Sequence, residues 1–346
     1  MTIDTSSFET LLSAARDIAL VGHYNPDGDS VGSVTAAYHY LKSRGKNPHV
    51  ILPSPYPESM AFLEPDAPED RMVICEQDPE KARRLVREAD LIICLDLNRL
   101  SRTEYLEQEI LSARAKRILV DHHIPAELER FDLAVSTTEV SSTCELLYWI
   151  LLSLPDIAGN PARIPPRCAE SIYVGMMTDT NNFSNSVFPS TFEMAAALIA
   201  CGVDKTCLQE KVLFCYSVSR TRLLGHMVKD KMVIIPRHNA AYMLLSNKEK
   251  QRYHFKPGDS EGFVNQPMTI ASVQVSALFT ENAEGNYIRV SLRSKGNIDV
   301  NRFANRFFNG GGHRNAAGGR LYIPLDEVPA YYEKALDEWP DEEKFS

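Results

Sequence analysis

Ile118-Leu119-Val120-Asp121-His122-His123 is an apolar run that ends abruptly in one carboxylate and two imidazoles. Short apolar runs of this kind read as buried strands. Packing alone does not ask for an aspartate and two adjacent histidines at a strand end. Ile18-Ala19-Leu20-Val21 leads in the same way into His23-Tyr24-Asn25-Pro26-Asp27-Gly28-Asp29. Leu91-Ile92-Ile93-Cys94-Leu95 is followed by Asp96, and Gly175-Met176-Met177-Thr178 by Asp179. In an open sheet covered by helices, residues just past the carboxyl ends of the strands converge on one crevice. Five aspartates and three histidines gathered there would make a metal site, and one with room for two ions.

Working outward, the first half of the chain alternates strand-like runs (Ile18–His23, His49–Leu52, Met72–Glu76, Leu91–Asp96, Arg117–Asp121) with amphipathic stretches such as Ser30–Arg44 and Pro79–Glu88. Alternating β and α with apolar strands predicts an α/β domain built on a mostly parallel sheet flanked by helices. Ser141–Leu154 and Pro166–Met177 read as further helices, and Ser190–Cys201 and Thr206–Val228 as helices connecting two lobes. The second half changes style. Lys231–Pro236 with Ala240–Ser246, and Ala271–Phe279 with Tyr287–Ser294 around the polar turn Glu281–Asn286, read as hairpins. A helix Asp299–Phe308 follows, then Asn309-Gly310-Gly311-Gly312-His313 as a loop and a final strand Arg320–Ile323. This predicts a smaller α+β domain over residues 230–346, joined through a helical connector, 191–229, to a metal-binding domain over 1–190.

The 346 residues suit two domains. A net charge of −9 argues against a broad grip on long duplex nucleic acid but leaves room for a local cationic pocket. No apolar run approaches the roughly 18 residues of a membrane span. The N-terminus lacks the basic start of a signal peptide. Seven cysteines without a CxxC pair fit a reduced, cytoplasmic protein with no disulfide framework and no zinc ribbon.

Each candidate residue also has an ordinary reading. The His23–Asp29 segment could be a turn before a helix capped by Asp29 or Ser30. Asp96 could be a polar strand end, and Asp179 a helix cap. Three close charges in the first segment without a basic partner would repel one another unless a cation neutralises them. An all-Asp/His donor set without cysteine favours manganese or magnesium over structural zinc. Gly310-Gly311-Gly312-His313 offers unshielded backbone N–H groups that can cradle a phosphate, or it is a glycine-capped helix end. Arg293 and Arg314 could clamp a phosphate or lie on a solvated face. Other histidines (His39, His49, His226, His238, His254) read as structural, and Cys144 carries no assigned chemistry.

Taken together, the motifs from His23 to Asp29, Asp96, Asp121-His122-His123 and Asp179 resemble the DHH phosphoesterase superfamily. The tail from Ser294-Lys295 to Gly310-Gly311-Gly312-His313 and Ala316-Ala317-Gly318 resembles the DHH-associated domain of its RecJ-like and NrnA-like members. Size and two-domain layout are most similar to the NrnA-type nanoRNase/pAp phosphatases. The resemblance implies two Mn2+ ions, with Mg2+ or Co2+ as substitutes. His23 and Asp27 would hold one ion, Asp29, His122 and Asp179 the other, and Asp96 would bridge them. Asp121 would orient the cluster, and His123 would lie near the scissile phosphate as a catalytic group beside Asp96 and Asp121. Arg293, Gly310, Gly311, Gly312 and His313 would bind the substrate's phosphate or terminal nucleotide.

The implied reaction is attack by hydroxide, generated at two metals, on short oligonucleotides or on 3'-phosphoadenosine 5'-phosphate (pAp). The alternatives are a pApA or cyclic-dinucleotide phosphodiesterase, a RecJ-like single-strand exonuclease and, in a different class, a non-catalytic nucleotide sensor. The expected partner is a short oligonucleotide or nucleotide, with no membrane and no long duplex; a homodimer through the sheet edge or connecting helices is compatible with the sequence.

Overall fold

The structure, a computed structural model, describes residues 5–124, 126–282 and 286–340. The chain divides into two compact units, Met1–Cys215 and Tyr216–Ser346. The polypeptide passes from one to the other inside the stretch 191–229.

The first unit runs α1 (Thr5–Ala14), β1 (Asp17–Val21), α2 (Gly28–Ser43), β2 (Asn47–Leu52), β3 (Val73–Ile74), α3 (Pro79–Glu88), β4 (Leu91–Leu95), α4 (Glu107–Ser112), β5 (Lys116–Asp121), β6 (Leu133–Ser136), α5 (Thr143–Ser153), α6 (Pro166–Asp179), α7 (Pro189–Ala200) and α8 (Lys205–Val212). Its six strands lie in the order β3-β2-β1-β4-β5-β6, and every pairing is parallel. The continuous apolar character of β4 follows from this position. Leu91, Ile93 and Leu95 pack on one face with Val34 and Leu41 of α2 and Leu147 of α5. Ile92 and Cys94 pack on the other with Ala82 and Val86 of α3 and Ile110 of α4. A strand buried on both faces has no polar side to show. Truncating one such residue, for example Ile93→Ala, costs roughly 2–5 kcal/mol. β6 went unread in the sequence because Leu133–Ser136 is short and half-buried along its whole length, so it lacks a clear alternation.

The second unit runs α9 (Val218–His226), β7 (Val233–Ile235), β8 (Ala240–Leu245), α10 (Asn247–Arg252), β9 (Val275–Asn282), β10 (Tyr287–Ser294), α11 (Val300–Phe307), β11 (Gly311–His313), β12 (Ala316–Leu321) and α12 (Val328–Glu338). Its sheet has the order β11-β12-β10-β9-β8-β7. The β8–β9 pairing is parallel and the others are antiparallel. Phe303 of α11 and Tyr332 of α12 cover one face over Ile288, Val290 and Leu292. Leu223 and Met227 with Phe263 cover Met243, Leu245 and Leu278 on the other.

Several expectations need correction. The stretch 206–228 is two helices, not one. Ser217 caps α9 by accepting the Arg220 N–H at 3.0 Å, and the new start breaks the helix that periodicity alone would continue. The glycine run is not a free loop: Gly311–His313 forms the edge strand β11 on Ala316–Gly318. The strand predicted at 320–323 therefore begins at Ala316, and the one predicted from Ala271 begins at Val275. Within the polar turn, Glu281 and Asn282 still belong to β9, and residues 283–285 lie outside the described residues.

Candidate metal centre

The strand order reverses between β1 and β4, the place where a doubly wound sheet opens a crevice at its carboxyl edge. His23 follows β1 by two residues, Asp96 follows β4 directly, and Asp121 ends β5 ahead of His122 and His123. Parallel pairing keeps all three strand ends on one side of the sheet.

Asp27, rather than Asp29 or Ser30, caps α2: its Oδ1 accepts the N–H groups of Asp29 and Ser30, each at 3.1 Å. This leaves Asp29 in the first turn, pointing into the protein and 1% exposed. There it meets the N-terminus of α5. Thr143 N–H donates to Asp29 Oδ2 at 2.7 Å and Cys144 N–H to Oδ1 at 3.0 Å. The Thr143 hydroxyl donates to Asp96 Oδ1 at 3.0 Å. One helix start thus fixes two carboxylates. Sequence reasoning gave Thr143 and Cys144 no part. The signal lay in Ser142-x-x-Glu145, a helix-start pattern, and Ser142 does cap α5 by accepting the Glu145 N–H. Buried Glu145 secures that start, accepting from Ser141 N–H, Ser190 Oγ and Thr191 Oγ1 at 2.9, 2.6 and 2.7 Å.

His23 Nδ1 lies 2.8 Å from the Tyr24 carbonyl, which can only accept, so Nδ1 carries the proton. Its Nε2 is buried without a hydrogen-bond partner, 3.8 Å from Asp27 Oδ1 and 3.5 Å from Asp96 Oδ2. His122 Nε2 faces three carboxylates, at 3.8 Å from Asp29, 3.7 Å from Asp96 and 3.5 Å from Asp179. His123 is held twice by the buried Asp121, through its N–H at 2.9 Å and its Nδ1 at 2.8 Å. Arg102, also unread in the sequence, straps two turns together. Its carbonyl accepts the Tyr24 N–H at 2.7 Å and its guanidinium donates to the Asp96 carbonyl at 3.4 Å.

Ligand-type atoms lie within 4.8 Å of one another in His23–Asp27–Asp96, in Asp29–Asp96–His122 and in Asp96–Asp121–His123, and Asp96 belongs to all three groups. The donor set fits divalent cations on electrostatic grounds. Among the described residues, the ion pairs of Asp27, Asp29 and Asp96 are with His23, His122 and His123, and none with lysine or arginine. Asp179 closes α6 at the helix end where the dipole disfavours an anion. Burial and the charge of Asp96 push the Asp29 carboxyl well above its ordinary range. Burial opposes the charge of Asp96 as well, but His23, His123 and His122 outweigh it and hold that carboxyl well below the usual value. Burial likewise opposes a charged His23, but the nearby carboxylates of Asp27 and Asp96 win and raise it to about 9. The cluster calls for positive charge at the place where His23 Nε2 and the carboxylates meet, and imidazole and carboxylate groups converging there without lysine or arginine are the arrangement a metal ion satisfies.

In the second unit Arg293 ends the outward row of β10. Gly312 N–H donates to Asn301 Oδ1 of α11 at 2.8 Å. That bond and the β12 pairing hold the glycine strand in place. Gly310 and Gly319 pack backbone to backbone: a Cβ on Gly310 would lie 1.8 Å from the Gly318 carbonyl oxygen, so no side chain fits.

Comparison with known proteins agrees with this architecture. Residues 17–176 match the DHH family, N-terminal domain, and residues 239–339 match the DHHA1 domain. A probable bifunctional oligoribonuclease and PAP phosphatase NrnA from Streptococcus mutans is 27% identical over 95% of this chain and 98% of its own. The bifunctional oligoribonuclease and PAP phosphatase NrnA of Bacillus subtilis is 26% identical over 90% of this chain and 91% of its own. The crystal structure of an exopolyphosphatase-related protein from Bacteroides fragilis superposes with a TM-score of 0.89 at 34% identity, over 96% of this chain and 95% of that one. The chain belongs to the DHH family, as a metal-dependent phosphoesterase of the NrnA type.

Proposed function

We propose that this protein removes mononucleotides from short oligonucleotides and dephosphorylates pAp, using two manganese ions. The observation that carries the reading is that buried Asp96 is shared by the ligand groups His23–Asp27–Asp96 and Asp29–Asp96–His122 at the point where the strand order reverses. The relatives named oligoribonuclease and PAP phosphatase support the substrate class. His23 and Asp27 would hold one ion, Asp29, His122 and Asp179 the other, with Asp96 between them. Oxygen and imidazole donors without thiolate suit manganese, with magnesium or cobalt as substitutes. When bound, such ions lower the pKa of water and offset charge on phosphoryl oxygens.

The chain's own groups do the rest. Asp121 binds His123 Nδ1 and so turns Nε2 outward, where it can donate to a phosphoryl or leaving oxygen. Thr143 and the α5 amides keep Asp29 and Asp96 from rotating. In the second unit, Arg293 and the Gly310–His313 segment would bind the substrate's phosphate end through the guanidinium and the His313 imidazole, since the Gly310 and Gly312 N–H groups donate to the Ala304 carbonyl and to Asn301 Oδ1. His313→Ala should then raise KM with kcat little changed; unchanged kinetics would make the glycine strand purely structural. Seven cysteines, all free, agree with a reduced, cytoplasmic setting.

The deciding experiment incubates the protein and manganese with pAp, pApA and 5'-labelled RNA of two to about twenty-four nucleotides. Fast hydrolysis of pAp and of the shortest RNAs is expected. Preference for the longest strands would replace this reading with a RecJ-like one, and hydrolysis of none would refute it.

A further inference from the structure

We infer that the outward face of β10 and β12 is a track for the nucleotides of a single-stranded oligonucleotide that lie beyond the one held at Arg293. The inference rests on the proposed function and extends it. Along β10 the residues alternate strictly: Ile288, Val290 and Leu292 are buried, while Arg289 is exposed and Tyr287, Ser291 and Arg293 are half-buried. The antiparallel register places Arg289 directly opposite Arg320 of β12, Ser291 opposite Gly318, and Arg293 opposite Ala316. The Arg320 guanidinium lies 4.9 Å from the Tyr287 ring centre, and Tyr287 meets the exposed Tyr322 at 6.2 Å between ring centres. The face therefore carries three arginines, two tyrosines, a serine and a floor of glycine and alanine.

Like charges directly opposite each other on neighbouring strands destabilise a sheet. Among the described residues neither Arg289 nor Arg320 forms an ion pair, although the chain holds 46 acidic against 37 basic residues. Glu281 of β9, an acid beside this region, spends its carboxylate on the Asn247 N–H at 2.6 Å. Lys250 is engaged with Glu281, its Nζ donating to the Glu281 carbonyl. Two unpaired guanidiniums facing each other are relieved by an anion placed between them. Tyrosine rings beside them present flat surfaces to bases. Cationic groups interleaved with aromatic rings on an open sheet are the chemistry of single-stranded nucleic-acid platforms. From Arg293 to Arg289 the strand advances about 13 Å. A mononucleotide held at Arg293 would not reach the arginine pair, and a longer strand would. Small floor residues let a sugar–phosphate backbone lie close to the sheet.

The test compares wild type with the double variant Arg289→Ser/Arg320→Ser. Affinity for a fluorescein-labelled five-nucleotide RNA is read by anisotropy without metal, alongside KM values for that RNA and for pAp with manganese. The double variant should bind the RNA at least tenfold more weakly, with the slope of log K against log salt reduced by about 1.4 for two lost phosphate contacts. Its KM for the RNA should rise in step, while that for pAp should not. Equal RNA affinity in the two proteins would overturn the inference, as would an equal rise in both KM values. If wild type hydrolyses neither substrate, the proposed function fails, and the metal-free binding comparison still decides whether the face binds RNA. Tyr322→Ser should weaken RNA binding about tenfold while leaving binding of inorganic polyphosphate unchanged. Equal weakening of the two would remove base stacking from the assignment.

Discussion

Asp96 has the left-handed backbone φ of 62° that a non-glycine residue rarely adopts. Its N–H donates to the Val120 carbonyl at 3.0 Å, and Arg102 and Thr143 hold its carbonyl and its side chain. Strain of this kind persists only where the surroundings over-determine it, and here it aims one carboxylate at His23 and His122 together. Asp96→Ala is expected to abolish turnover with unchanged circular dichroism; retained activity would defeat the two-metal proposal. Thr143→Val deletes one hydrogen bond from Asp96 and keeps the shape. It should weaken manganese binding about 10–100-fold, as loss of a ligand-orienting partner does, and Thr143→Ser should restore it. Manganese titration followed by calorimetry reads the affinity without turnover. Equal affinity in the valine variant would assign Thr143 to packing alone.

At the scale of elements, α2 and α6 approach so closely that glycine is required on both. A Cβ on Gly32 would lie 2.7 Å from the Ser171 carbonyl oxygen, and one on Gly175 would lie 2.2 Å from Cys144 Sγ and 2.8 Å from Asp29 Oδ1. The contact brings the first turns of α2 and α5 to the end of α6, where Asp29, Thr143 and Asp179 lie. Gly175→Ala should therefore destabilise the first unit by about 1–3 kcal/mol and weaken metal binding as well. Cys144→Ala in the same chain should recover part of the loss, because it removes the nearest atom. In the second unit, Glu249 is held by a capping box with Ser246 and by Lys231 at 2.6 Å. Burial resists its charge, but Lys231 and Ser246 prevail and bring it from 4.5 down to about 2. A depressed carboxyl stabilises the folded form above pH 4.5 and loses that contribution as pH falls toward 2. Urea unfolding of the second unit should accordingly weaken across that interval in wild type. Glu249→Gln should show the deficit above pH 4.5 and converge with wild type near pH 2; a constant difference across the range would show that the charge is not its cause.

At the scale of the molecule, each unit has its own apolar core, and all the proposed metal ligands lie in the first. Ligand binding stabilises the unit that binds by RT ln(1 + [L]/Kd), about 2.7 kcal/mol at a hundredfold excess over Kd. Scanning calorimetry should therefore show manganese raising the transition of residues 1–215 and leaving that of 216–346 in place. A rise confined to the second transition would move the metal site out of the crevice. Among the described residues no helix is long and apolar enough to cross a membrane.

The sequence by itself determined the alternation of strands and helices, the parallel sheet and the eight metal-site candidates. Those features are local: a run buried on both faces must be apolar throughout, and a carboxylate or imidazole just past its end stands out against it. The sequence also marked Arg293 and the glycine run, although that run proved to be a strand because its partner, Ala316–Gly318, is defined by pairing rather than by periodicity. Only the tertiary structure decided which donors hold which carboxylates. Thr143 lies 114 residues from Asp29 and 47 from Asp96 along the chain, and no spacing rule links them until α5 packs beside α2. It also decided the facing arginines. Arg289 and Arg320 are ordinary surface residues in sequence, and antiparallel register alone sets them against each other.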